Sequence, residues 1–308
     1  MSTILLNFWG IIAIILVGYI LARTNVVPKG TDRVLTQLAF ASTLPALIFV
    51  MVSHGDPAAV FSAVGTTNII SAVGVALLYA LIGRYLLNIR GTELTVGMLT
   101  ACYTNIGNLG IAFLVAITGD ATAAAPILLF QIVVLLPFFF AVLDWQTGRN
   151  SGGIMKALAR MMTNPLLIAV LTGLVVSIVK IPIPAVIESP LDMMGKANVP
   201  IILLAMGISL RGSHIPKWGH DAAALLLGIV MRCIGGPLLV WLSAMPMGVT
   251  GKELMSLMIV GAFPTANNVF VFAHRYHANV GLARDAVIIT TFVSLAVILG
   301  IAVVFHTA

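Results

Sequence analysis

The chain is built almost entirely from long apolar runs, each near the roughly twenty residues that an α-helix needs to cross a bilayer. Hydrophobic residues make up 60% of its 308 residues and charged residues only 8%, a composition outside the range of soluble domains. The runs cover residues 3–22, 34–52, 60–87, 94–118, 121–143, 154–179, 185–210, 218–244, 254–273 and 280–305. We therefore predict an all-α polytopic membrane protein with ten transmembrane helices.

Two of these runs, the fourth and the ninth, are broken at their centres by Gly, Pro and Asn. The first break is YTNIGNLG at 103–110, and the second is FPTANN at 263–268. Backbone groups left open at the bilayer centre cost several kcal/mol each unless a polar group meets them. Broken helices at matching positions in two halves of a chain are typical of transporters, which bind substrate there.

The Lys and Arg residues indicate how the chain is threaded through the membrane. One set of loops and run ends holds twelve of the sixteen, the other set holds three, and Arg232 lies inside the eighth run. The positive-inside rule places the twelve in the cytoplasm and both termini outside it. We expect the protein to lie in the cell (inner) membrane. The twelve are Arg23, Lys29, Arg33, Arg84, Arg90, Arg149, Lys156, Arg160, Arg211, Lys217, Arg275 and Arg284.

Five runs in each half mean that the second half starts from the opposite side of the membrane. The predicted domains are two inverted five-helix repeats, 1–148 and 154–308, joined by a cytoplasmic hinge at 149–153. A weak internal similarity favours a duplication, because three landmarks recur at nearly one offset. These are Asn7 with Asn164, Leu44-Pro45 with Val199-Pro200, and Asn108 with Asn267.

The breaks carry the polar groups that we expect to bind substrate. In an inverted repeat they lie close together at the midplane, each presenting a half-helix N-terminus with about half a positive charge. Such ends favour an anion, and the amides of Asn105, Asn108, Asn267 and Asn268 can bind a carboxylate without a fixed charge. The alternative that these residues serve packing stays open. The glycines would then form a helix-packing face, and the asparagines would hydrogen-bond between helices.

Five further residues could belong to the same site. Arg232 is the only basic residue well inside a run, and an arginine fork suits carboxylates, although a snorkelling or structural arginine is an equal alternative. For the others, packing and function are equally open. They precede the prolines of runs two and seven: Gln37, Ser42, Thr43 and Asn198.

Other kinds of site have no support in the sequence. No Asp or Glu lies at the centre of a run, the two cysteines have neither metal nor redox spacing, and there is no Walker A motif. The net charge of +6 comes from basic loops, so it indicates topology rather than a nucleic-acid partner. We expect no enzyme activity, no cofactor and no metal; a coupling ion, proton or sodium, is left undefined.

Four motifs together resemble the auxin efflux carrier family over nearly the whole chain. They are GYIL at 18–21, LPALIF at 44–49, NIGNLG at 105–110 and PTANNV at 264–269. That family includes plant auxin exporters and bacterial carriers of malonate and similar acids. The short hinge is similar to the bacterial branch, and the last motif looks most like the malonate carriers.

The resemblance implies a fold, a site and an activity. Helices 4 and 9 would cross at their breaks, helices 1, 2, 6 and 7 would form a scaffold, and helices 3–5 and 8–10 a moving transport domain, in a homodimer surrounded by lipid. Substrate would meet Asn105, Gly107, Asn108, Pro264, Thr265, Asn267 and Asn268. The expected function is secondary active transport of a small organic anion, with malonate as the first candidate substrate. A monocarboxylate carrier, a passive anion channel and an acid-sensing receptor are the alternatives.

Overall fold

A computed structural model describes residues 2–55, 58, 62–106, 110, 114, 117–118, 122–147, 164–211 and 220–307. Within these ranges almost every residue is helical, and the only extended pairing joins Thr104 to Thr265. The helices are α1 (Ser2–Arg23), α2 (Thr31–Ser53), α3 (Ala63–Tyr85), α4 (Gly91–Cys102), α5 (Ala125–Gln146), α6 (Pro165–Val179), α7 (Ala185–Ser209), α8 (Asp221–Met247), α9 (Gly251–Gly261), α10 (Asn268–Tyr276) and α11 (Val280–Thr307).

The predicted class, an all-helical multi-pass membrane protein, is confirmed. Six of the described helices are long and apolar enough to cross a membrane: α2, α3, α5, α7, α8 and α11. The two breaks also fall where the sequence predicts them, because α4 ends at Cys102 and the chain between α9 and α10 is not helical. The hinge at 149–153 and residues 107–109 lie outside the described residues, and the count of ten spans and the inverted repeat stay predictions.

Three of the long helices contain one wider, π-helical turn. These turns are Ala39–Thr43 in α2, Gln131–Leu135 in α5 and Met231–Gly235 in α8. In each case a proline follows two residues after the turn: Pro45, Pro137 and Pro237. Proline has no N–H and its ring crowds the carbonyl four residues earlier, so a widened turn relieves the clash without breaking the helix.

The helices pack into two groups. In the first, α1 packs along α7, α6 packs along α2, and α2 also packs along α7. In the second, α3 contacts α4 and α8, and α11 contacts α8, α9 and α10. Contacts between the groups are fewer and lie mainly where α10 meets α2 and α7. The scaffold and transport roles that the family resemblance implies for these helices stay predictions.

Two glycines allow α1 and α7 to approach closely. A Cβ atom on Gly18 would overlap the carbonyl group of Leu204, and one on Gly207 would overlap the carbonyl oxygen of Ile15. Small residues at such positions let helix backbones pack tightly where lipid provides no hydrophobic driving force. Gly18 and Gly207 therefore allow close packing between one helix of the first half of the chain and one of the second.

We expect Gly18→Ala to destabilise the protein by about 1–3 kcal/mol, the usual cost of overpacking a close contact. Gly10→Ala is the matched control, because Gly10 lies on the same helix and a Cβ atom added there would meet nothing within 4 Å. Thermal unfolding of the two purified variants in detergent measures the difference. Equal melting temperatures would show that α1 and α7 do not depend on this contact.

Candidate functional site

The two breaks cross and pair with each other through their backbones. After α4 ends, Tyr103 is extended, with φ −90° and ψ 102°. The N–H of Asn105 donates to the carbonyl of Pro264 over 2.8 Å, and the N–H of Ala266 donates to the carbonyl of Tyr103 over 2.9 Å. Residues 103–106 and 263–267 are all buried. Each break thus satisfies backbone groups of the other where both are buried.

Side chains of the neighbouring helices hold the two central threonines. The N–H of Thr104 donates to Oε1 of Gln131 over 2.9 Å, while Nε2 of Gln131 donates to the Thr104 hydroxyl. The N–H of Thr265 donates to Oγ1 of Thr290 over 3.0 Å, and the Thr265 hydroxyl donates to the carbonyl of Thr100 over 2.6 Å. The crossing is therefore held by a polar network, and such networks are rigid when their members are paired.

Arg232 lies behind the crossing and caps both half-helices that run into it. Its guanidinium donates from Nη1 to the carbonyl of Ala101 over 3.0 Å and from Nη2 to the carbonyl of Gly261. These carbonyls belong to the last turns of α4 and α9, where no intrahelical donor exists and about half a negative charge collects at each end. The single positive charge of Arg232 therefore roughly balances the combined negative charge of the two helix ends.

Asparagines from the two breaks meet on the other side of the crossing. Nδ2 of Asn105 donates to Oδ1 of Asn267 over 3.4 Å. Asn267 is the N-cap residue of α10, and its own Nδ2 is buried without a hydrogen-bond partner among the described residues. A buried N–H group without a partner costs about 1–3 kcal/mol. The site thus presents an unpaired donor beside a helix N-terminus, which favours an anion.

A chain of polar contacts leads from α2 to the same place. The hydroxyl of Thr43 donates to Oδ1 of Asn198 over 3.0 Å, and Nδ2 of Asn198 donates to Oδ1 of Asn268 over 3.5 Å. Thr43 belongs to the π-helical turn of α2, and Asn198 lies in α7. The two helices of the first packing group are therefore linked to the first residue of α10.

Cavities around the crossing differ greatly in size. One of about 40 Å³ is lined by Asn105, Gln131 and Asn268, and one of about 20 Å³ is lined by Asn267. A water needs roughly 10–15 Å³, so the larger of these two cavities has room for about three waters and the smaller for about one. A third, of about 390 Å³, opens between α2 and α10 and is lined by Gln37. The spaces beside the asparagines of the crossing are therefore much smaller than the crevice between α2 and α10.

The predicted site residues fall into distinct places. Asn105, Pro264, Thr265, Asn267 and Asn268 come together at the crossing. Gly107 and Asn108 lie outside the described residues. Ser42 donates to the carbonyl of Leu38 in its own helix, and Arg232 contacts helix ends instead of the three cavities.

Sequence analysis missed Gln131, which reaches the crossing from α5. The available signal is its distance from a proline, because Thr43, Gln131 and Arg232 each lie in a π-helical turn two to six residues before one. Among the described residues no group of three or more His, Cys, Asp and Glu side chains is arranged to hold a metal ion. The chemistry of the site is therefore that of amides, hydroxyls and helix ends.

We expect Arg232→Gln to lower the stability of the protein by several kcal/mol, because it leaves buried carbonyls without donors at about 1–3 kcal/mol each. Arg232→Lys should recover only part of this loss, since one ammonium cannot reproduce the guanidinium fork. Arg90→Gln is the control, because Arg90 is exposed and, within the described part of the chain, its side chain donates only to Asn88. Unfolding of the purified variants measures the effect; wild-type stability of Arg232→Gln would contradict it.

Comparisons with known proteins agree with this architecture. A family model described as "Membrane transport protein" matches residues 4–148 and 153–302. The chain is 25% identical over 312 residues to a protein of Rhizobium meliloti named "Putative malonate transporter", covering 97% of this chain and 93% of that one. It is 24% identical over 295 residues to "Uncharacterized transporter YfdV" of Escherichia coli, with 92% of each chain covered.

A plant relative matches over a shorter stretch. "Auxin efflux carrier component 6" of Arabidopsis thaliana is 27% identical over 144 residues, which is 45% of this chain and 25% of that protein. The family model covers both halves of the chain and both sides of the crossing. The chain therefore belongs to the membrane transport protein family, which confirms its resemblance to the auxin efflux carriers.

Proposed function

We propose that this protein is a secondary active transporter that carries a small organic anion, malonate or a similar dicarboxylate, across the cell (inner) membrane. The observation that carries the proposal is the buried amide of Asn267, whose Nδ2 has no partner among the described residues beside the N-terminus of α10. A carboxylate is the natural acceptor for such a donor. The similarity to a protein named as a malonate transporter supports the choice of acid.

The charges around the crossing support an anion. The N-terminus of α10 offers about half a positive charge, whereas the ends of α4 and α9 offer about half a negative charge each. Arg232 offsets the negative ends through its contacts with Ala101 and Gly261. We propose that Arg232 serves the substrate in this indirect way, and that Asn105, Gly107, Asn108, Pro264, Thr265, Asn267 and Asn268 contact it.

Alternating access is supported by how the helices are grouped. The group of α1, α2, α6 and α7 meets the other helices mainly through α10. The few polar contacts across this boundary include Asn198 with Asn268 over 3.5 Å and Arg284 with the carbonyl of Ser209 over 3.1 Å. A weakly joined interface permits one group to move against the other. We propose that the first group is the scaffold of a homodimer and that the second moves with its substrate.

An inverted repeat of ten spans is part of the same proposal. Thr43 and Asn198 contact each other and stand 155 residues apart in the chain. The same offset relates Leu44-Pro45 of the first half to Val199-Pro200 of the second. The breaks pair antiparallel at Thr104 and Thr265. Contacts between equivalent positions and antiparallel pairing are what a pseudo-twofold axis through the crossing requires.

Uptake into proteoliposomes tests the function. We expect the purified protein to accumulate labelled malonate against its gradient when a proton or sodium gradient is imposed, and the gradient that drives uptake identifies the coupling ion. A panel of other dicarboxylates and of monocarboxylates, including an indole acid, ranks the substrates. Equilibration without accumulation would indicate a passive channel, and binding without uptake would indicate a receptor; either result would refute the proposal.

We expect Asn105→Ala and Asn267→Ala each to reduce uptake at least tenfold, because each removes a hydrogen bond to a charged group worth about 1.5–3 kcal/mol. Asn68→Ala is the matched control, since Asn68 is also buried but its side chain, among the residues that the structure describes, donates only to Val64 in its own helix. Thermal unfolding shows whether each variant is folded. Near-normal uptake by both folded crossing variants would remove the asparagines from the site.

The predicted topology has its own test. With both termini outside, the hinge between the two halves lies in the cytoplasm, so a cysteine placed at Ser151 should resist impermeant thiol reagents added to intact cells. A cysteine placed at Lys252, beside the opposite set of loops, should react. Both buried native cysteines, Cys102 and Cys233, serve as the unreactive background. The reverse labelling pattern would invert the proposed orientation.

A further inference from the structure

The wide crevice between α2 and α10 carries positive charge that the crossing does not use. Its volume is about 390 Å³, within the usual range for a small-molecule site. Arg33, Gln37 and Arg275 line it and are exposed, whereas Phe40 and Val271 line it and are buried. The crevice therefore has a cationic mouth and an apolar floor.

Neither arginine at the mouth has a carboxylate partner among the described residues. Asp32, the acidic neighbour of Arg33 in the chain, lies instead 3.6 Å from Nε2 of His274. Arg33 stands in the first turn of α2, where the helix dipole disfavours positive charge, so helix stability does not explain it. Arg275 lies over the ring of Phe40, 5.3 Å from its centroid, which holds the guanidinium across the crevice.

The floor of the crevice ends one helical turn from the crossing. Val271 follows Asn267 by four residues on α10, so the two share one side of that helix. On α2, Phe40 precedes Thr43 by three residues, and Thr43 begins the polar chain to Asn198 and Asn268. An anion held at the mouth would therefore be close to the polar groups of the crossing.

We propose that this crevice is a capture site for small dicarboxylates, in which Arg33 and Arg275 attract the two carboxylates before the anion reaches the crossing. The inference rests on the proposed function, and it names the part of the path that selects doubly charged acids. Exposed arginines raise the local concentration of anions, and two of them favour a dianion over a monoanion. His274 and His277 also line the crevice.

Binding to the purified protein at low ionic strength tests the capture site, with malonate and the monocarboxylate propionate as probes. We expect Arg33→Gln and Arg275→Gln each to raise the Kd for malonate roughly threefold and together about tenfold, since exposed charges are partly screened. The Kd for propionate should change by less than about twofold. Lys29→Gln is the matched control: Lys29 is exposed in the loop before α2 but does not line the crevice.

A second variant separates the crevice from the crossing. Protein with both Asn105→Ala and Asn267→Ala should no longer transport malonate but should still bind it, and adding both Arg33→Gln and Arg275→Gln should raise the Kd of that binding about tenfold. An unchanged Kd in the arginine variants, an equal loss with Lys29→Gln, or no binding by the crossing variant would overturn the capture site and leave the transporter proposal standing. If the wild type binds no dicarboxylate, both proposals fail.

Discussion

Everything in this structure depends on how two broken helices satisfy their backbone groups where water is excluded. The breaks solve part of the problem for each other, through the antiparallel bonds of Asn105 to Pro264 and Ala266 to Tyr103. Arg232 and Thr265 supply further donors for the end of α4, and Arg232 also serves the end of α9. Removing any partner leaves a buried polar group unpaired, which is far more costly in a membrane protein than at a wet surface.

Prolines in the surrounding helices help to place these donors. Each of the three π-helical turns stands just before a proline, and each turn holds one polar side chain that reaches the crossing network: Thr43, Gln131 and Arg232. A π-helical turn inserts one extra residue and therefore rotates the side chains of the helix relative to a regular one. The same local distortion that accommodates proline thus delivers a polar group to an otherwise apolar interior.

Two buried donors of the network have no partner among the described residues: Nε of Arg232, behind the crossing, and Nδ2 of Asn267, where a substrate is proposed to bind. The two threonines at the centre are bonded through both backbone and side chain, whereas the amide of Asn267 keeps an unpaired donor beside the start of α10. A buried donor without a partner is a cost that a bound carboxylate would relieve. Rigidity around an unsatisfied group is what precise recognition of a small anion requires.

The sequence by itself determined the membrane class, the positions of most helices, the two breaks and the family. Apolar length and helix-breaking residues are local properties, and they locate Tyr103 and Pro264 without knowledge of any contact. Only the tertiary structure decided what meets at the crossing. In the sequence, Gln131 is one polar residue in an apolar run, and only the packing of α5 brings it to Thr104. The sequence is equally consistent with Arg232 facing a cavity or a helix end, and the structure places it at helix ends. Both depend on contacts between residues far apart in the chain, which no local pattern encodes.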